Sequence, residues 1–224
     1  MLRLSEADHV RVSEAVAAAE RASDAEVVTI VAPRSDAYHD VGLHYALLAM
    51  LLVPTLGALL PQGCIDRALG LFLGWNAALS FRLLMVILFV AMAIVFLIVR
   101  YALAWMPLRM ALTPGSTKTR RVRRRAVELF RASTERRTRG RTGVLLYLSL
   151  AERRAEIVAD EAIHSKVEPE VWGEAMAVLI EKVKEGRVGD GMALAVEKIG
   201  EVCATCLSKT HDDTNELGDR LVEL

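Results

Sequence analysis

Cys203-Ala204-Thr205-Cys206 has the spacing of a redox or metal pair. Either role needs a low-pKa thiol at a helix N-terminus or a second pair of ligands. This pair falls near the C-terminal end of a helical segment and no second pair exists. It therefore reads as two ordinary helix cysteines. Four acids, Asp24, Glu26, Asp160 and Glu161, could meet at one sheet edge as oxygen ligands for a divalent cation. The competing expectation is that Asp160 caps a short helix, Glu161–Lys166. His211-Asp212-Asp213 offers metal-ligand types, but in a polar tail. His9, His39, His44 and His164 have no Ser or Cys beside them in a nucleophile motif. No phosphate-cradling Gly loop, nucleophile elbow or His-Glu-x-x-His occurs. Titratable groups mostly alternate in sign along helix faces, the pattern of solvated surfaces. The expectation is a protein that is not an enzyme and holds no resident cofactor, with a divalent metal as the weaker alternative.

The densest chemical signal is basic. Residues 118–141 carry eleven Lys/Arg against two acids, although the whole chain has 28 of each sign. Residues 1–42 and 142–224 are acidic, with eight acids against four Arg and seventeen against nine Lys/Arg. Such asymmetry points to a local anionic partner. Lys118, Arg120, Arg121, Arg123, Arg124 and Arg125 follow the second of two apolar runs, and juxtamembrane clusters of this kind attract anionic lipid headgroups. Nucleic acid is the rival partner. It is set aside because no aromatic residues interleave the charges.

The apolar runs explain a mean hydropathy of +0.31 in a chain that is 25% charged. Leu43–Leu60 has no charged residue apart from a protonatable His44, and Leu83–Val99 is unbroken. At ~1.5 Å per residue each nearly spans the ~30 Å core of a bilayer. Pro54 and Gly57 are tolerable there, Arg100 can snorkel, and Tyr101 and Trp105 suit an interface. Ala68–Ser80 between the runs reads as interfacial or re-entrant. Two Arg lie between the spans, Arg67 and Arg82, and many more follow them, which places the C-terminal side in the cytoplasm. An even number of spans puts the N-terminus there too. Three cysteines give no disulfide framework, and no cleavable signal is visible.

The flanking segments need elements that could share a core. Ser5-Glu6-Ala7-Asp8 has the form of a capping box, followed by an apolar face of Val10, Val16, Ala17 and Ala19. Glu26–Ala32 is β-branched and stops at Pro33. Arg120–Arg139 reads as a helix with Val122, Ala126, Leu129, Phe130 and Ser133 on one face. Val144–Leu150 reads as a central strand and Arg154–Ala159 as its hairpin partner across Glu152-Arg153. Helices over Pro169–Glu185 and Asp190–Leu207 follow, separated by Gly186 and Gly189, and Trp172 is expected in the core. The tail from Ser208 is expected to fray. The result is an α/β fold: a small mixed sheet of three strands covered by helices and interrupted by an inserted transmembrane helical hairpin. Its parts are 1–42, the hairpin 43–106, a basic linker and helix 107–141, the rest of the domain 142–207, and the tail 208–224.

The order of elements, the run Thr142-Gly143-Val144-Leu145, Ser149, Glu152-Arg153 and Glu156-Ile157-Val158-Ala159-Asp160, and the later Trp172 and Gly191 resemble the TPM domain family. The likeness covers residues 5–36 and 120–207. It departs from many members in carrying its spans after the first strand. The resemblance implies an accessory role for a membrane protein, or a metal-dependent phosphatase as in some plant members. The acids of that activity do not map here one by one. The reading from sequence is a membrane accessory protein that binds or positions another protein of unknown identity at the lipid bilayer.

Overall fold

The computed structural model describes residues 4–61, 63, 64, 67, 70, 80–133, 142–167, 169–207, 209, 218 and 220–224. Helix α1 (Glu6–Ala22) begins where Ser5 can cap it. The Ser5 hydroxyl accepts the Asp8 N–H at 3.2 Å, and the Asp8 carboxylate accepts the Ser5 N–H at 2.9 Å. The Ser5 hydroxyl also donates to the Asp8 carboxylate at 2.7 Å, and this bond, then the one from the Ser5 N–H, with nearby Arg11, hold the Asp8 carboxyl below its usual range. The buried face is Val12, Ala15, Val16 and Ala19. Val10, expected in it, is exposed, because at 3.6 residues per turn it lies across the helix from Val12 and Val16.

The sheet has four strands, in the order β3-β2-β1-β4. β1 (Glu26–Ala32) and β2 (Gly143–Ser149) are parallel, with Glu26 opposite Gly143 and Ala32 opposite Ser149. Every residue of both strands is buried, which is why both read as continuous apolar runs. β3 (Arg154–Ala159) returns antiparallel to β2 after the loop 150–153, where Arg153 takes φ 50°. The fourth strand corrects the expectation of a frayed tail. β4 (Val222–Glu223) pairs in parallel with Ile30 and Val31 of β1, and His9 Nε2 lies 2.6 Å from the Glu223 carboxylate. Two residues carry no readable periodicity, so only pairing reveals such a strand.

Alternation along β1 and β2 splits the core in two. Val28, Ile30, Ala32, Leu145 and Tyr147 face Val122, Ala126 and Phe130 of helix α5 (Gly115–Ser133). Val27, Val31, Val144, Leu146 and Leu148 face α1, the short α6 (Glu161–His164), α7 (Pro169–Lys184) and α8 (Val188–Cys206). Trp172 is buried there, as expected. Gly189 does not separate α7 from α8 but lies within α8, where a Cβ would come 2.2 Å from the Asp8 carboxylate oxygen. Gly200, further along α8, would place a Cβ 2.7 Å from that of Ala19. Both glycines are needed because α1 and α8 pack so closely.

The chain divides into two compact units, Met1–Ala37 with Pro114–Leu224, and Tyr38–Thr113. The sheet and its covering helices form the first. The second contains α2 (His39–Leu59), α3 (Phe81–Ala102) and α4 (Met106–Leu112). α4 was read from sequence as part of a linker. Its Arg109 is buried, with Nε donating to the Leu103 carbonyl at 2.6 Å and Nη1 3.3 Å from His39 Nδ1. α2 and α3 are long and apolar enough to cross a bilayer, and none of the side chains of α3 is buried. The Ala68–Ser80 reading lies outside the described residues apart from its position 70 and its last residue.

Candidate functional site

Helix α5 places its cations around an apolar stripe. Val122, Ala126 and Phe130 bind it to the sheet, so the charged positions between them turn outward. Arg121 and Arg124 both reach the Asp36 carboxylate, at 3.0 and 2.9 Å. Arg123 lies 3.7 Å from Glu156, and Arg125 lies 3.4 Å from Glu128. Four of the six expected lipid-binding residues thus have acids beside them, a constraint not apparent from their spacing. Lys118 and Arg120 have no carboxylate within ion-pair distance among the described residues. The Arg121 and Asp36 side chains are mostly buried, but pairs as exposed as those of Arg123, Arg124 and Arg125 hold by only ~0–1 kcal/mol. The side chains of Arg123 and Arg124, 74% and 63% exposed, can therefore leave their partners for a stronger anion.

The acids proposed for a cation come together only in part. Glu26 opens β1 opposite Gly143, and the Gly143 N–H donates to the Asp160 carboxylate at 3.1 Å. Asp160 therefore does not cap the helix after it with its side chain, as expected. It occupies the N-cap position, but its carboxylate turns back to the first residue of β2. Glu161 is exposed and Glu26 buried. Among the described residues no three His, Cys, Asp or Glu side chains gather closely enough to hold a metal ion. His211, Asp212 and Asp213 lie outside the described residues.

Cys203 is fully buried, and burial pushes its thiol up to about 12, with Cys206 adding to the shift. A thiol held protonated is a poor nucleophile and a poor metal ligand. This agrees with the reading of ordinary helix cysteines.

At the other end of β1 and β2 a buried polar cluster ties the strand exits together. Glu152 accepts the Ser35 N–H at 3.0 Å and the Ser149 hydroxyl, and Ser35 Oγ lies 3.0 Å from the Tyr147 hydroxyl. Burial raises the Tyr147 phenol above its usual range, and the hydrogen bonds from Ser35 and Ser149 temper the shift. Both Glu152 oxygens accept hydrogen bonds, so the cluster serves as a clamp on the β2–β3 loop.

Two residues that the sequence assigned only to a turn and a strand acquire chemistry in the fold. Arg153 and Arg154 come against the first half of α5, around a cavity of about 220 Å³. Their positions in a hairpin gave no signal of this, because it depends on which helix covers the edge strand.

The TPM domain family model matches residues 108–202. It covers the second segment of the resemblance as far as residue 202 and begins after the apolar runs, so α1 and β1 lie outside it. The NMR structure of BA42 protein from the psychrophilic bacterium Bizionia argentinensis has a similar fold. It shares 14% identity at a TM-score of 0.55, over 99% of this chain and 95% of that one. No curated protein matches the chain.

Proposed function

We propose that this chain, which carries a TPM domain, is an integral membrane accessory protein. Its TPM domain binds or positions a protein partner at the cytoplasmic face, and the hairpin of α2 and α3 anchors it. The observation that carries the reading is the outward apolar surface of the two helices. Leu48, Leu51 and Leu56 on α2, and Phe89, Ile94 and Ile98 on α3, are more than half exposed. Monomeric soluble proteins rarely leave apolar surface this extensive to water, whereas hydrocarbon covers it at no cost. Tyr101 in the last turn of α3 and Trp105 just after it, both exposed, lie at the end of the second span, where an interfacial belt belongs. Helix α5, which carries the cations, begins about a dozen residues after the second span, a juxtamembrane position that attracts anionic headgroups.

Reporter fusions test the topology. Fusions at Asp36 and Leu224 are expected to signal from the cytoplasm, and a fusion at Asp66 from the other side. A cytoplasmic signal at Asp66, or an external one at Leu224, overturns the two-span arrangement.

The accessory role is tested on the detergent-solubilised chain with a generic phosphomonoester and Mg²⁺, Mn²⁺ or Ca²⁺. No metal-dependent turnover above the buffer rate is expected. Turnover that disappears in Asp160→Asn or Asp24→Asn protein would replace the accessory role with a hydrolase.

A further inference from the structure

The cavity beside β3 is built from residues of the sheet unit alone. Val122 and Ile180 give it an apolar floor, and Thr119, Arg153, Arg154 and Glu156 line the rest. Nε of Arg154 is buried without a hydrogen-bond partner. No carboxylate lies within ion-pair distance of Arg154 or Arg153 among the described residues. The one acid in the wall, Glu156, lies 3.7 Å from Arg123 and two residues along β3 from Arg154. The Arg154 guanidinium lies against the start of α5, where a Cβ on Gly115 would stand 3.4 Å from its Nη2.

These facts leave one cationic donor of the cavity wall without an acceptor. A guanidinium stays charged at any physiological pH. The first turn of a helix presents amide N–H groups without intrahelical acceptors and carries the positive end of the helix dipole. Here that end meets the partly buried Arg154, with the exposed Arg153 beside it, and the buried Nε of Arg154 has no acceptor. Removing an acceptor from a buried charged donor is costly. An anion in the cavity would accept from Arg154 and lie beside the charge of Arg153. The cavity has room for a tetrahedral oxyanion, and the planar fork of Arg is suited to one.

We propose that this cavity binds a phosphoryl group, held by Arg154 and Arg153 beside the first turn of α5. The group can come from a lipid headgroup or from free phosphate. Only the lipid source rests on the membrane reading above. Binding of free phosphate stands or falls on the sheet unit, so failure of one reading is distinguishable from failure of the other.

The test uses the full chain. In detergent, it is titrated calorimetrically with inorganic phosphate at constant ionic strength. In nanodiscs of phosphatidylcholine with or without phosphatidic acid, the phosphatidic acid retained after extraction is measured. Arg154→Gln is expected to weaken binding by about ten- to a hundredfold, the size of one charge-assisted hydrogen bond. Arg154→Lys keeps the charge but loses the fork, and is expected to fall between the two. Arg187→Gln removes a charge elsewhere and is expected to leave binding unchanged. Loss with both probes, or with only one, supports the site and identifies its source. Wild-type protein that binds neither probe, or Arg154→Lys protein that binds both as wild type does, overturns the proposal. The lysine variant decides the matter if Arg154→Gln does not fold.

Discussion

Residues 114–224 on their own are expected not to fold, whereas 1–37 joined to 114–224 by a short flexible linker is expected to be water-soluble and to unfold cooperatively. β1 lies inside the sheet, between β2 and β4, and all seven of its residues are buried. Without it, β2 exposes an edge and β4 has no neighbour. Without α1, the α8 surface that Ala19 approaches at Gly200 is bare. Val12, Val16, Val27, Val28, Ile30 and Val31 go with these two elements. Burying each contributes about 1.5–3 kcal/mol, and together they rival the whole net stability of a domain, about 5–15 kcal/mol. The linker can be short. Asp36, two residues before the excised segment, is already held by Arg121 and Arg124 of the helix that follows that segment. Urea titrations followed by near-UV circular dichroism provide the measurement. A cooperative transition of equal midpoint for 114–224 alone would show that the sheet does not need its first strand.

The second large effect concerns α3. Val90→Arg combined with Ile94→Arg is expected to drive the protein out of the carbonate-resistant membrane fraction or to eliminate its accumulation. Both positions are about half exposed, one turn apart near the middle of the helix. An arginine at mid-bilayer costs about 3 kcal/mol on insertion scales, so two of them offset much of what the apolar run contributes. The sign makes the test sharp. On a helix facing water, the same pair would relieve an apolar patch and raise solubility. A variant that accumulates normally and becomes soluble would falsify the membrane reading.

Much of the fold was legible because it was local. Ser5 and Asp8 stand three apart, and a capping box needs nothing else. Val144–Leu148 is apolar without alternation, which marks a strand covered on both faces, and it is so covered. That Glu26–Ala32 and Gly143–Ser149 share a sheet followed from the need of each segment for a partner, whereas their parallel direction came only from the structure. The candidate sites were legible in type but not in placement. A run of arginines announces charge, yet whether Arg121 is free depends on Asp36, 85 positions away in sequence. Of the acids that looked able to cluster, Asp160 turns toward Gly143, the partner of Glu26 in the sheet, while Glu161 is exposed.

The sequence by itself determined the two apolar helices, the central strands, the capped first helix and the segregation of charge. Each depends on residue type repeated at the period of one element, and burial acts on that period directly. Only the tertiary structure decided the fourth strand, the place of Gly189 inside a helix, the pairing of the α5 arginines and the isolation of Arg154 at a helix start. These depend on which groups from distant parts of the chain come within a few ångströms, where Coulomb and hydrogen-bond energies are large. No spacing along the chain encodes that distance. Two residues of β4 and one guanidinium of β3 acquire their roles only when α1, α5 and the sheet have packed around them.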